Sequence, residues 1–486
     1  MKSIEEILSR ENGRSIGSII DDLKQKSTTP PSWSSLKKVF SPEEHGITKD
    51  KKLRRDRVVH TDQGDIIEEA ARIPLGLEEL LAERINQFSF TIPVKREYSN
   101  LEDSETRRLI AEAIEKIYTH ADIDNVNIER GEAYFKACEM FTLWYSVKKK
   151  NTAYGFESEY KLKCRTFSPM SDDVELYPLL DEYDDMVCMS IAYKKRIKDD
   201  DVEFFETWTD TKHYKWRQSK DTGWVDEIFY EDGEGNRTYG DDINILKIPG
   251  IYGWRKKPIY KEGSPKLRED AEYRHSEDSD ILAYNATPLV KVVGKMISDE
   301  KKFESRRLVR VEQGGDVSYV EWSGSTDATS IHIQRDIDWF WMFNQMPDVS
   351  FKNLQSLGNI GYDARQMMLT DAFLKIGQET KPLLQFFRRE GNVIKAFLKK
   401  MNTRWSEVDI DAVVIKHIIT PYIPKDEKYE IEKRQAANGG KAIESQRESI
   451  QRWGKSSDAN ATLKEIQEES KIEQQAKING LMEGAI

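Results

Sequence analysis

Residues that carry chemistry in most enzymes are present in this chain, but seldom at the spacing chemistry needs. Asn438-Gly439-Gly440-Lys441 has the small residues and the lysine of a phosphate-cradling loop. That motif also requires a glycine where Gln435 stands and a Ser or Thr where Ala442 stands, so no hydroxyl is placed to hold magnesium. The seven histidines (45, 60, 120, 213, 275, 332 and 417) include no pair three or four residues apart, so a zinc site requires ligands brought together by tertiary structure. No His-Glu-x-x-His, Gly-x-Ser-x-Gly or dinucleotide fingerprint occurs. Asp181, Glu182, Asp184 and Asp185 could hold a divalent ion, but acidic clusters between strands are ordinarily solvated. Cys138, Cys164 and Cys188 form no Cys-x-x-Cys pair and read as small buried hydrophobes in a reducing compartment. The Asn-x-Thr matches at Asn236, Asn285 and Asn460 carry no meaning without secretion. No catalytic residue, no metal site and no cofactor is expected.

Composition narrows the class further. Charged residues make up 33% and hydrophobic residues 38% of 486 positions, a polar balance suited to an elongated or multi-lobed subunit. The net charge of −11 argues against a broad nucleic-acid grip, which rests on clustered Lys and Arg, but permits a surface past which DNA slides. No apolar run approaches the roughly 20 residues that span a bilayer. The start, MKSIEEILSREN, lacks a signal peptide's basic and apolar regions, so a chain without membrane contact, made in a cytoplasm, is expected.

The elements that must position any site read as α+β. Residues 1–60 form a polar arm broken at Thr29-Pro30-Pro31-Ser32, with a basic cluster at Lys51–Arg57. Helical periodicity runs from Ile66 to Phe88, with Leu77, Leu80, Leu81, Ile85 and Phe88 on one face. Further helices are expected at Glu105–His120 and Asn127–Lys148. From Tyr154, the aromatic-rich segments Glu159–Phe167, Met186–Lys194, Glu203–Thr209 and His213–Arg217 predict an antiparallel sheet. A helix at 268–286 precedes a strand at Leu289–Val293, a charged connector at Asp299–Arg306, and a hairpin pairing 308–311 with 317–322 around Gly314-Gly315. A helix over Ser330–Met346 carries Ile333, Ile337, Phe340, Trp341 and Asn344 on one face and ends at Pro347. The polar loop 347–361 follows, then helix from about Asp363 to Met401 with a break near Gly377. A charged helical lobe closes the chain at 425–486, turning at AANGGKAIESQRE.

That order of helix, strand excursion, helix, proline-gated loop and helix resembles the portal proteins of tailed bacteriophages, in particular the siphophage-type portals. Three stretches agree in texture: RIPLGLEELLAERINQFSFTIPV (72–94), GIYGWRKKPIY (250–260) and residues 426–469. The restart at Gly358-Asn359-Ile360-Gly361-Tyr362-Asp363-Ala364 matches the family's pattern in part, lacking its Ser.

The resemblance implies a portal-type elongated subunit. Its parts would be an N-terminal arm (1–60), a wing of helices then sheet (61–267), stem helix 1 (268–287), a small clip with its hairpin (288–326) and stem helix 2 (327–346). A channel loop (347–361), a wing helix and return (362–424) and a helical C-terminal crown (425–486) complete it. It implies a dodecameric ring at one capsid vertex of the virion, assembled in the bacterial cytoplasm, through which double-stranded DNA is packaged and ejected. The channel loop would face DNA with Pro347, Asp348, Ser350, Phe351, Lys352, Asn353, Gln355, Ser356, Gly358 and Asn359. The clip, with Lys301, Lys302, Arg306, Arg307, Tyr319 and Trp322, would dock the terminase large subunit and then a head–tail connector. The major capsid protein and a scaffold are further implied partners, and the terminase ATPase would supply the energy. Rival readings are another phage structural protein, such as a minor capsid or baseplate-like subunit, and a metal-dependent nuclease using Asp184 and Asp185.

Overall fold

The computed structural model describes residues 3–10, 13–61, 64–101, 104–171, 173–198, 200–220, 222–232, 237–285, 289–293, 312–320, 327–348, 367–422, 432, 445–453 and 459–483. The chain forms a large unit, residues 1–358 with 368–422, and a small one, residues 359–367 with 423–486.

In the large unit the chain opens with α1 (Ile4–Leu8), α2 (Ile16–Leu23), α3 (Trp33–Phe40) and α4 (Gly46–Lys49). A two-stranded ribbon follows, β1 (Arg57–Thr61) and β2 (Gly64–Glu68), then α5 (Leu77–Phe90), β3 (Lys95–Ser99), α6 (Glu105–His120) and α7 (Ile123–Lys136). Next come β4 (Glu139–Asn151), β5 (Ser158–Phe167), β6 (Val174–Leu180), β7 (Met186–Ile197), β8 (Asp200–Trp208) and β9 (Lys212–Ser219). Short strands β10 (Gly223–Asp226), β11 (Phe229–Glu231), β12 (Arg237–Tyr239) and β13 (Asp241–Asp242) lead to β14 (Gly250–Trp254). Then stand α8 (Ser264–Asn285), β15 (Leu289–Val293), β16 (Asp316–Val320), α9 (Asp327–Phe343), α10 (Thr370–Met401), α11 (Glu407–Ala412) and β17 (Val414–Ile418). The small unit holds α12 (Gln446–Trp453) and α13 (Ala459–Glu483).

Helix α6 shows how the helical layer is encoded. Ser104 caps it by accepting the Arg107 N–H at 3.3 Å. Its Ile110, Ile114, Ile117 and Tyr118, at three- and four-residue spacing, are all buried in the main core. Helix α7 crosses α5 at Gly131, where a Cβ would stand 1.9 Å from Asn86 Oδ1 and 2.7 Å from the Phe90 ring. Gly131→Ala is therefore expected to cost about 1–3 kcal/mol through overpacking, read as a lower denaturation midpoint with an unchanged slope.

Two antiparallel sheets carry the strand-rich middle. One is ordered β14-β4-β5; the other is β10-β9-β8-β7-β6 with β13 beside β9. Phe141 of the first packs with Met189, Ile191 and Trp208 of the second. Helices α1 and α2 cover Cys188, Phe205 and Trp216 with Ile7, Ile19, Ile20 and Leu23. The segment expected as a polar arm is thus folded against the sheet, because its few apolar residues fall at helical spacing.

Several expectations are corrected. The helix expected over Asn127–Lys148 stops at Lys136, Cys138 turns left-handed at φ 62°, and 139–151 is strand. The first half of β4 is buried on both faces, so its apolar residues do not alternate and mimic a helical pattern. The helix expected from Ile66 begins at Leu77; before it, 64–68 is strand and Pro74 stands in an extended segment. The sheet expected as one is two, with β5 in the smaller and Val174–Leu180 an additional strand of the larger. Helix α10 runs for 32 residues through Gly377 without a break. Residues 308–311 lie outside the described residues, and β16 pairs with β15, Val320 opposite Leu289 and Asp316 opposite Val293. Gly314, at φ +94°, lies in the turn that leads into β16.

In the small unit, Ser445 and Glu448 close a capping box at the start of α12: Ser445 Oγ accepts the Glu448 N–H at 3.2 Å and Glu448 Oε2 accepts the Ser445 N–H at 3.1 Å.

Candidate functional site

Helices α8 and α9 lie side by side and carry the strand pair β15–β16 between them in the chain. Their base is locked by Asn344, whose amide donates to Ser264 Oγ at 3.0 Å and whose Oδ1 accepts the Lys261 N–H at 2.9 Å. Phe340, Trp341 and Asn344, predicted to share a face, are buried, while Ile331, Trp339, Met342 and Phe343 are exposed.

A strap, residues 70–76, runs along α8. The N–H groups of Ala71, Ile73 and Leu75 donate to Asp280 Oδ1, Ser276 Oγ and Glu272 Oε1, at 2.9, 2.9 and 2.8 Å. Two residues of extended chain advance about 6.6 Å and four residues of helix about 6.0 Å, so alternate amides meet every fourth helical side chain. Beneath the strap, Arg268 is shared by two buried carboxylates, Glu78 Oε2 at 2.9 Å and Glu272 Oε2 at 2.8 Å. Burial raises Glu78 to about 7, against the pull of Arg268. Burial also works against the charge on Glu272, but the bonds from His45 and the Leu75 N–H, with Arg268, hold it below the usual carboxylate range.

The segment after α9 begins under restraint. Gln345 turns left-handed at φ 54°, and Arg84 of α5 donates to the Pro347 carbonyl at 3.2 Å and to Asp348 Oδ1 at 3.4 Å. The Arg84 guanidinium lies 4.3 Å from the Trp341 ring centroid, stacked between helix and loop. Pro347 and Asp348 are thus placed together, by a residue the sequence did not single out. Ser350, Phe351, Lys352, Asn353, Gln355, Ser356, Gly358 and Asn359 lie outside the described residues. So do Lys301, Lys302, Arg306, Arg307 and Trp322, while Tyr319 sits in β16 opposite Val290.

Groups with other chemistry are accounted for differently. The Asn438–Lys441 segment lies outside the described residues. Asp181 Oδ1 accepts the N–H groups of Tyr183 and Asp185 at 2.8 and 2.9 Å, so that acidic cluster builds its own exposed turn. Burial pushes the Cys138 and Cys188 thiols up to about 12 and Cys164 up to about 11, far from a reactive thiolate. Among the described residues, the group able to offer converging metal ligands is Asp270, His332 and Asp336, where α8 meets α9. Two of the three have a local signal, since His332 and Asp336 stand one helical turn apart. Asp270 comes from another helix and had no local signal.

Residues 67–476 match the family described as "Phage portal protein, SPP1 Gp6-like". No curated protein matches the chain. A chain from the solved structure "Virion of native gene transfer agent (GTA) particle" is similar at 9% identity and a TM-score of 0.36, over 88% of this chain and 94% of that one. A chain from "Neck of empty GTA particle computed with C6 symmetry" is similar at 10% identity and a TM-score of 0.35, over 85% and 94%. The matched span takes in the strap, both sheets, the paired helices with their strand excursion, the gripped proline and the long helix after it: the chain belongs to the SPP1 Gp6-like family of phage portal proteins.

Proposed function

We propose that the chain is one subunit of a closed ring of twelve at a capsid vertex, the channel for double-stranded DNA during packaging and ejection. In this reading α8 and α9 are the stem, residues 288–326 the clip, 347–361 the channel loop, α10 the wing helix, and α12 with α13 the crown. The observation that carries it is the grip of Arg84 on Pro347 and Asp348, which fixes the point where the loop leaves the stem. A loop that must bear on moving DNA needs a rigid root, and a guanidinium holding a carbonyl and a carboxylate supplies one. Exposed apolar residues on the stem, Leu282 and Tyr284 of α8 with Trp339, Met342 and Phe343 of α9, suit coverage by the next copy in a head-to-tail ring.

The acidic net charge fits passage better than retention, since a ring of such chains repels phosphate and lowers DNA affinity. The clip would dock terminase during packaging and a connector afterwards, with Tyr319 and Trp322 and the basic residues 301, 302, 306 and 307 as contacts. The major capsid protein and a scaffold would hold the ring at its vertex. The test is the mass and symmetry of assembled particles, followed by deletion of Phe351–Leu357. We expect rings with a central channel, and particles from the deletion that lose packaged DNA or fail to package. A chain that stays monomeric with scaffold present refutes the ring; unchanged packaging and retention refute the loop's role.

A further inference from the structure

We propose that Asp270 of α8 and His332 and Asp336 of α9 form a binding site for a divalent cation of the Zn2+ or Mn2+ class, which staples the two helices. Nothing in the portal role calls for such a site, and its test is independent of ring assembly.

Geometry carries the inference. His332 Nδ1 stands 3.2 Å from Asp336 Oδ2 and 3.7 Å from Asp270 Oδ2, and all three donor atoms lie within 4.8 Å of one another. Ligands about 2.1 Å from a common ion are about 3.0–3.4 Å apart in octahedral or tetrahedral geometry, so only small shifts separate this arrangement from a coordinated one. The donor set of one imidazole and two carboxylates suits borderline divalent metals and leaves coordination positions open to water.

Three further features fit a cation. The Asp336 side chain is only 5% exposed and lies 3.2 Å from His332 Nδ1. A cation held by Asp336 and Asp270 together would offset the mutual repulsion of their two carboxylates. Arg274 donates its Nε to Asp270 Oδ2 at 2.8 Å from one turn along α8, which fixes the Asp270 carboxylate in place. The imidazole and Asp336 project from one face of α9, so an ion bound there ties that face to α8.

The experiment uses the full chain freed of any affinity tag, stripped with chelator and dialysed against Zn2+ or, separately, Mn2+, with bound metal counted by mass spectrometry. One ion per chain is expected for the wild type, with at least tenfold weaker binding in His332→Gln and Asp270→Asn. Both sites are partly exposed, and circular dichroism of the stripped proteins checks that each variant is folded. A hundredfold excess of metal over Kd should raise the wild-type Tm by about 3 °C and leave both variants unmoved. No binding at about 1 mM metal, or equal binding by wild type and variants, overturns the site.

Discussion

Glu390→Ala is expected to destabilise the large unit by about 3–5 kcal/mol, the cost of stranding a buried charge. Glu390 reaches from α10 to Arg130 of α7, and each side chain is 1% exposed. The guanidinium also donates to Asn127 Oδ1 at 2.9 Å and Thr142 Oγ1 at 3.0 Å, and Trp144 Nε1 donates to Glu390 Oε1 at 2.8 Å. Removing the carboxylate leaves a cation and an indole N–H facing an apolar core with no water to replace it. The double variant Arg130→Met with Glu390→Leu should recover much of the loss, because neither partner is then left charged. Urea unfolding of wild type, single and double variants measures this; a single variant within about 1 kcal/mol of wild type would show that solvent reaches the pair.

Between pH 4.5 and 6.5 two buried groups should pull stability in opposite directions. Glu78 is raised by burial from 4.5 to about 7, so the folded chain holds a proton that the unfolded chain releases. Its contribution is present below pH 4.5 and is lost as pH rises through 7, about 3 kcal/mol in all. His417 is pushed down from 6.5 to about 4, first by burial, against the pull of Glu390 and Glu115 and with Arg96 and Arg130 helping. It packs against the rings of Tyr118 and Phe387 and stays neutral in the fold. Its contribution is present above pH 6.5 and is lost as pH falls through 4, again about 3 kcal/mol. The two nearly cancel in the wild type. Glu78→Gln should leave a curve that falls on acidification from 6.5, and His417→Gln one that rises on acidification from 7. Stability measured against pH for the three proteins decides it, and superimposable slopes would refute both assignments.

Local signals reached as far as local causes did. Helix α6 was legible because capping serine and apolar stripe lie within one segment, whereas α9, expected to run to Met346 before Pro347, stops at Phe343, where Gln345 turns left-handed. The strand at 139–151 was not legible: burial on both faces erased the alternation that marks a strand. The strap at 70–76 was read as part of the helix expected from Ile66, since the partners that hold it are side chains some two hundred positions away. Within the site, the order of helix, excursion and helix could be read from pattern alone. Arg84 and Asp270 could not, because each acts only on residues of a different element.

The strap also sets a timetable. Ile73 and its partner Ser276 are 203 positions apart, Leu75 and Glu272 are 197, and Ala71 and Asp280 are 209. At about 5–20 residues per second, a ribosome spends tens of seconds between making the amides and making their acceptors. Throughout that interval the N–H groups of Ala71, Ile73 and Leu75 lack the acceptors they have in the fold, whereas Ala70 has Asp56 from the start. Pro74, which has no N–H to donate, interrupts that row at its centre. A helix built late thus captures a segment built early.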